Sequence, residues 1–255
     1  MESMSKPFPP HIDVEESFNE FVVDFGGEVI SDLLSKSPSF KNADYFFQTR
    51  SIVAELKCLE KDTFQDRTYR RKMGILYDKW VRQGFIPDSL FRPTKIETKD
   101  YPLECQRDVH NLLKRPIETR IKEANRQIKQ TKEYFNLPHA KGLLLLVNDG
   151  NYSFESDALL YTVGRSLKNQ FTSINSLVYF TVNMPATKPD IDRDVLVWVD
   201  ARARETEEEL PREFLDELCN GWISFLKRKT GEDIPRGEFP DEAIDEIKFI
   251  QRRRI

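Results

Sequence analysis

A chain of 255 residues that is 39% hydrophobic and 11% aromatic carries enough apolar surface for a sizeable core, which excludes disorder over most of its length. Ten glycines and fourteen prolines without a short repeat exclude collagen-like and solenoid chains, and no apolar run exceeds the five residues of 143–147, far short of the roughly twenty needed to span a bilayer. The formal charge of −4, from 39 Lys and Arg against 43 Asp and Glu, speaks at first against a polyanionic partner.

Residues 14–34 come first. Val14, Phe18, Phe21, Phe25 and Val29 recur every three or four positions, which predicts an amphipathic helix that the Gly26-Gly27 pair kinks or splits. Two short strands follow at 43–47 and 51–58, joined by Gln48, Thr49 and Arg50. In the second, Ile52, Ala54, Leu56 and Cys58 share one apolar side, while Val53, Glu55 and Lys57 share the other. Residues 60–115 read as a charged helical stretch and a Pro-interrupted loop, an insertion or lid.

A basic helix is expected over 116–134, with Pro116 in its first turn and a stripe of Ile117, Ile121, Ala124 and Ile128. Strands at 142–147, 176–182 and 194–199 alternate with a helix at 156–170, and a packing helix at 214–229 closes the pattern. The turn after the strand ending at Val147 has Asn and Gly where a tight turn wants them. The expected architecture is one α/β domain over 1–255, a mixed central sheet flanked by helices. Its core spans about 14–58 and 116–200, and its C-terminal helical segment about 205–255.

The chemistry-bearing inventory is lopsided. Cys58, Cys105 and Cys219 and His11, His110 and His139 lie far apart, with neither CxxC nor HExxH spacing, so a zinc centre is not expected. Reduced structural thiols, and a start without the pattern of a secretory signal, fit a cytoplasmic protein. Carboxylates and lysines remain as workers. From residue 107 to 132 eight Lys and Arg face three acids, whereas from 202 to 217 seven acids face three arginines. Charge segregated in this way makes a basic face on an acidic protein, and it equally describes two helices with solvated polar sides.

Asp44 at one strand, and Glu55 with Lys57 on one face of the next, form the sharpest constellation. Two carboxylates brought together across a hairpin suit Mg2+ or Mn2+, and a lysine beside them can position water or neutralise a phosphate. The order of an acidic helix, Asn42-Ala43-Asp44, Val53-Ala54-Glu55-Leu56-Lys57, a basic helix and the strand after Lys141 resembles the PD-(D/E)xK superfamily, the restriction-endonuclease-like nucleases. Ala43 stands where that family usually has Pro. The likeness covers about residues 14–150, with the segment 60–115 as an insertion.

The resemblance implies a Mg2+- or Mn2+-dependent nuclease acting on DNA or RNA, DNA first. Asp44, Glu55 and the Leu56 carbonyl would hold the metal, and Lys57 would assist the attacking water. A glutamate of the first helix, Glu28, and Gln127 of the basic helix would complete the site, with Lys129 and Lys132 touching phosphates. Many such nucleases pair to cut two strands, so a homodimer is one expected assembly. The alternative is a catalytically silent module of the same fold that binds nucleic acid or a protein partner. In an unrelated α/β domain, by contrast, the carboxylates of Asp44 and Glu55 would not meet.

Overall fold

The computed structural model describes residues 11–34, 38, 40–60, 66–88, 100–151, 156–183, 186–188, 191–204 and 210–232. Helix α1 (Val14–Asp24) starts where the Asp13 side chain accepts a bond from the Glu16 N–H. It stops at Phe25, because Gly26 turns the chain with φ of 84°. A Cβ on Gly27 would lie 2.7 Å from Val22 Cγ1 and 2.9 Å from Phe47, so only glycine lets the chain cross there. The expected helix over 14–34 is therefore split, and the two-residue strand β1 (Glu28–Val29) and one turn, α2 (Ile30–Leu33), occupy its second half.

Strands β2 (Tyr45–Phe47) and β3 (Ile52–Leu59) form the expected hairpin through a single 3-10 turn, Gln48–Arg50. β4 (Lys141–Asn148), β5 (Ser176–Thr181) and β8 (Trp198–Arg202) complete a six-stranded sheet in the order β1-β2-β3-β4-β5-β8. The β3-β4 and β4-β5 pairs are parallel and the others antiparallel, so the sheet is mixed and open. β6 (Ala186–Lys188) and β7 (Ile191–Val195) form a separate hairpin. The strand expected at 194–199 is thus two strands, since the chain leaves β7 at Val195 and enters the main sheet only at Trp198.

Each face of the sheet is closed by helices. On one, Ile52, Ala54, Leu56, Leu143, Leu145 and Val178 pack with α1 and with α6 (Arg212–Thr230), where Phe18, Phe21, Trp222 and Phe225 stack on one another. Each such ring removes about 150–250 Å² of surface from water, and these aromatics dominate that core. On the other face, Val53, Leu144, Leu146 and Leu177 pack against α4 (Leu103–Tyr134) and α5 (Ser156–Gln170). Cys58, Cys105 and Cys219 are buried and unbridged.

Helix α4 begins thirteen residues before the expected start and carries Pro116 inside it. A proline there removes one backbone bond and costs about 3 kcal/mol in a helix interior. The helix continues because both halves are anchored. Ile117, Ile121, Ala124 and Ile128 pack on the sheet, while Cys105 and Val109 pack with α3 (Arg67–Arg82). Tyr69, Met73, Tyr77 and Trp80 of α3 supply the rest of this third core. Asp108 receives bonds from Lys79 Nζ at 2.7 Å and Trp80 Nε1 at 2.9 Å, which pins the end of α3 to the beginning of α4. The insertion is therefore a helical hairpin continuous with the basic helix. Among the described residues, no helix is long and apolar enough to cross a membrane.

Candidate active site

The register of β2 and β3 builds the site. Asp44 sits one residue before β2, where the ladder ends, with its N–H on the Ala54 carbonyl at 3.2 Å and its carbonyl accepting from Ile30 N–H at 2.8 Å. Its Oδ2 accepts the Leu56 N–H at 2.8 Å, so a side chain satisfies the donor that β2 no longer reaches. The Leu56 carbonyl points to the same side of the strand as its N–H, because strand residues present both groups to one neighbour. Glu55 and Lys57 project from the opposite side of β3 to Leu56 and Cys58, toward α4.

That face is not solvated. Glu55 is 1% exposed, and the charge of Asp44 acts directly on its carboxyl, so the two groups are neighbours. Lys57 Nζ donates to Glu55 Oε1 at 2.5 Å and to Gln127 Oε1 at 2.9 Å. The Gln127 amide in turn donates to the Asn42 carbonyl at 2.8 Å, and one helical turn later Thr131 Oγ1 accepts the Ala43 N–H at 2.7 Å. Two residues of α4 thus clamp the backbone that leads into Asp44. Gln127 belongs to the constellation the sequence assigned it to.

Electrostatics follow from this packing. Burial pushes the Asp44 carboxyl above its usual range, against the lowering effects of the Leu56 N–H and Lys57. Burial, with the neighbouring Asp44 charge added, pushes Glu55 up to about 9 although Lys57 pulls it down. Glu55 Oε2 has no hydrogen-bond partner despite its burial. An unpaired buried carboxylate oxygen carries an uncompensated desolvation cost.

Glu28 does not join them. It is not a first-helix residue, because that helix ends at Asp24. Glu28 lies on β1 opposite Phe46, and Ile30, not Glu28, is bonded to Asp44. The acid of α1 whose charge reaches Asp44 is Glu15. Glu15 shares a helical face with Asn19, four residues on, and Asn19 Oδ1 takes the Tyr45 hydroxyl at 2.9 Å. Glu20, on the same helix, is engaged by Lys229 at 2.8 Å.

Lys129 and Lys132 lie apart from the carboxylates. Lys129 is exposed and faces Glu133 at 3.8 Å, and Lys132 Nζ donates to the Ser173 carbonyl at 3.2 Å, tying α4 to the chain before β5. Arg120, seven residues before Gln127 and so on the same stripe of α4, lies nearer the end of β3, where its charge acts on Cys58. The Asn148 side chain accepts the Asn151 N–H at 3.0 Å and donates to the Asn151 carbonyl, which accounts for the expected turn structurally.

The donor set fits a hard divalent cation. Asp44, Glu55 Oε2 and the Leu56 carbonyl offer only oxygen atoms, the donors that Mg2+ accepts while keeping several waters beside one or two carboxylates. Among the described residues, no three His, Cys, Asp or Glu side chains gather in a way that could hold a metal, so water would complete the shell. Against known proteins, the chain matches no family model, no curated protein and no solved structure.

Proposed function

We propose that this protein is a Mg2+- or Mn2+-dependent nuclease that hydrolyses phosphodiester bonds of nucleic acid, DNA first, on a restriction-endonuclease-like core formed by α1, β1 to β4 and the second half of α4. The observation that carries the reading is the buried Glu55 carboxyl, with Lys57 on its Oε1, no partner on its Oε2 and the charge of Asp44 acting on it. A structural ion pair needs one carboxylate, and the second makes the pair costly unless a cation or proton joins it.

A divalent ion at Asp44, Glu55 and the Leu56 carbonyl would supply Lewis acidity and neutralise charge on the scissile phosphate. Lys57 is the positioning cation. An ammonium has three donors, of which Glu55 and Gln127 take two, leaving one for a water or a phosphate oxygen. Gln127 fixes that ammonium, and the Asn42 carbonyl fixes Gln127. Pre-set donors of this kind act without reorganisation at the moment of reaction.

The test is cleavage of labelled DNA and RNA by purified protein with Mg2+ or Mn2+. Asp44→Ala and Lys57→Ala are each expected to lower the rate by at least about 10²-fold, the scale of a positioned acid, base or electrostatic group. Cleavage retained in both variants would overturn the assignment, and salt-sensitive DNA binding without cleavage under any metal condition would favour the silent module.

A further inference from the structure

We infer that the helical hairpin of α3 and the first half of α4 carries a cationic surface for a nucleic-acid backbone, formed by Arg67, Arg71 and Lys72 of α3 with Arg120 of α4. The inference rests on the nuclease reading for its choice of polyanion and adds to it the part of the molecule that would hold the substrate. Helix α3 has six Lys and Arg against a single acid, whereas α1, across the sheet, has four acids and no base. The −4 total therefore conceals a molecule polarised from one helix layer to another.

The placement of these cations works against the helix that bears them. Arg67 lies in its first turn, where the positive end of the helix dipole disfavours a cation, and Arg71 and Lys72 follow in the second. Arg67 and Arg71 are also four residues apart, a like-charge spacing that repels. All three are exposed, and none has a hydrogen bond or ion pair among the described residues. Local stability thus gives no reason for the Arg67 and Arg71 pair, which a polyanion would satisfy together, with Lys72 about 100° further round the helix.

Topology brings this surface to the site. The end of α3 is pinned at Asp108 near the start of α4, so α3 runs back along α4 and its first turns return toward the sheet, where Leu113 packs against both the hairpin core and the sheet core. Arg67 is ten positions on from Lys57, a span of at most about 35 Å, close to one turn of duplex. Arg120 lies on the second half of α4, near the end of β3. It is half-buried, acts on Cys58 at the end of β3, and has no hydrogen bond or ion pair among the described residues.

The test is binding of a fluorescein-labelled 20-base-pair DNA duplex by the full chain in EDTA, read by anisotropy across a salt series. Arg67→Ala/Arg71→Ala/Lys72→Ala is expected to weaken binding at least about tenfold at 0.1 M salt and to reduce the salt slope by about 2.7, with Arg120→Ala reducing it by about 0.9. The charge-matched Lys227→Ala/Arg228→Ala/Lys229→Ala, at the end of α6, is expected to bind as wild type does. Circular dichroism and thermal melting confirm that each variant is folded. Wild-type affinity and slope in the folded α3 variant, or an equal loss in the α6 variant, would overturn the inference. Duplex binding that depends on α3 without cleavage in Mg2+ or Mn2+ would sustain it and sink the nuclease reading. Cleavage by an α3 variant that binds as tightly as wild type would do the reverse.

Discussion

The two sides of β3 are both closed from solvent, yet they are built from opposite chemistry. Toward α1 and α6 the strand shows Ile52, Ala54, Leu56 and Cys58 to a core of stacked aromatics. Toward α4 it shows Val53, then Glu55 and Lys57, with Glu55 buried as deeply as its apolar neighbours. One side obeys the rule that a doubly covered strand is apolar, and the other breaks it at the two residues that meet Asp44 and Gln127. A break of this kind costs stability, and such costs collect at functional sites. The comparison separates what holds the fold from what the fold holds.

Substitutions on the two sides should therefore act in opposite directions. On the aromatic side, Phe18→Ala leaves a hole beside Tyr45, Phe180 and Trp222 and should cost about 3–5 kcal/mol by chemical denaturation. On the α4 side, Glu55→Gln keeps the acceptor for Lys57 and removes a carboxyl that the fold must hold protonated far above its ordinary range. It should leave the metal-free protein more stable by about 1–3 kcal/mol at pH 8, while abolishing cleavage. A Glu55→Gln variant as destabilised as Phe18→Ala would erase the distinction.

Acidity sharpens the same contrast. The Glu55 carboxyl is raised from 4.5 to about 9 in the fold, so between those values the folded chain holds a proton that the unfolded chain has lost. Stability of the metal-free protein is thus full below pH 4.5 and falls as pH rises toward 9, by at most about 1.4 kcal/mol per unit for this group. Asp44, also raised, adds to the same slope. Urea denaturation in EDTA from pH 5 to 9 checks this, and Glu55→Gln should flatten the profile.

Much of this site was legible from residue alternation and helix stripes. The two-residue period of β3 puts Glu55 and Lys57 on one face, and Gln127, implied by the resemblance, lies with Arg120 at one edge of the Ile117 to Ile128 stripe. Local patterns failed where tertiary packing overrode them. Pro116 reads as a helix start, yet cores on both sides carry α4 through it. The apolar run through Val195 and Val197 reads as one strand, although the chain changes sheets within it. Glu28 belongs to the first helix only if that helix runs past Gly26, whose positive φ ends it. Glu15 escaped notice because acids in a first turn have a sufficient reason in the helix dipole. Its spacing of four from Asn19 was the available signal. Residues 233–255, including the terminal arginines, lie outside the described residues.

The central claim is that Asp44 and Glu55 form a cation site, and titration of Mn2+ into the protein at pH 8, followed by electron paramagnetic resonance, tests it most directly. The account predicts one high-affinity Mn2+ per chain, lost in both Glu55→Gln and Asp44→Asn while each variant stays folded, with binding weakening as pH falls and protons compete. Mn2+ binding that is absent in the wild type, or unchanged in both variants, would contradict it.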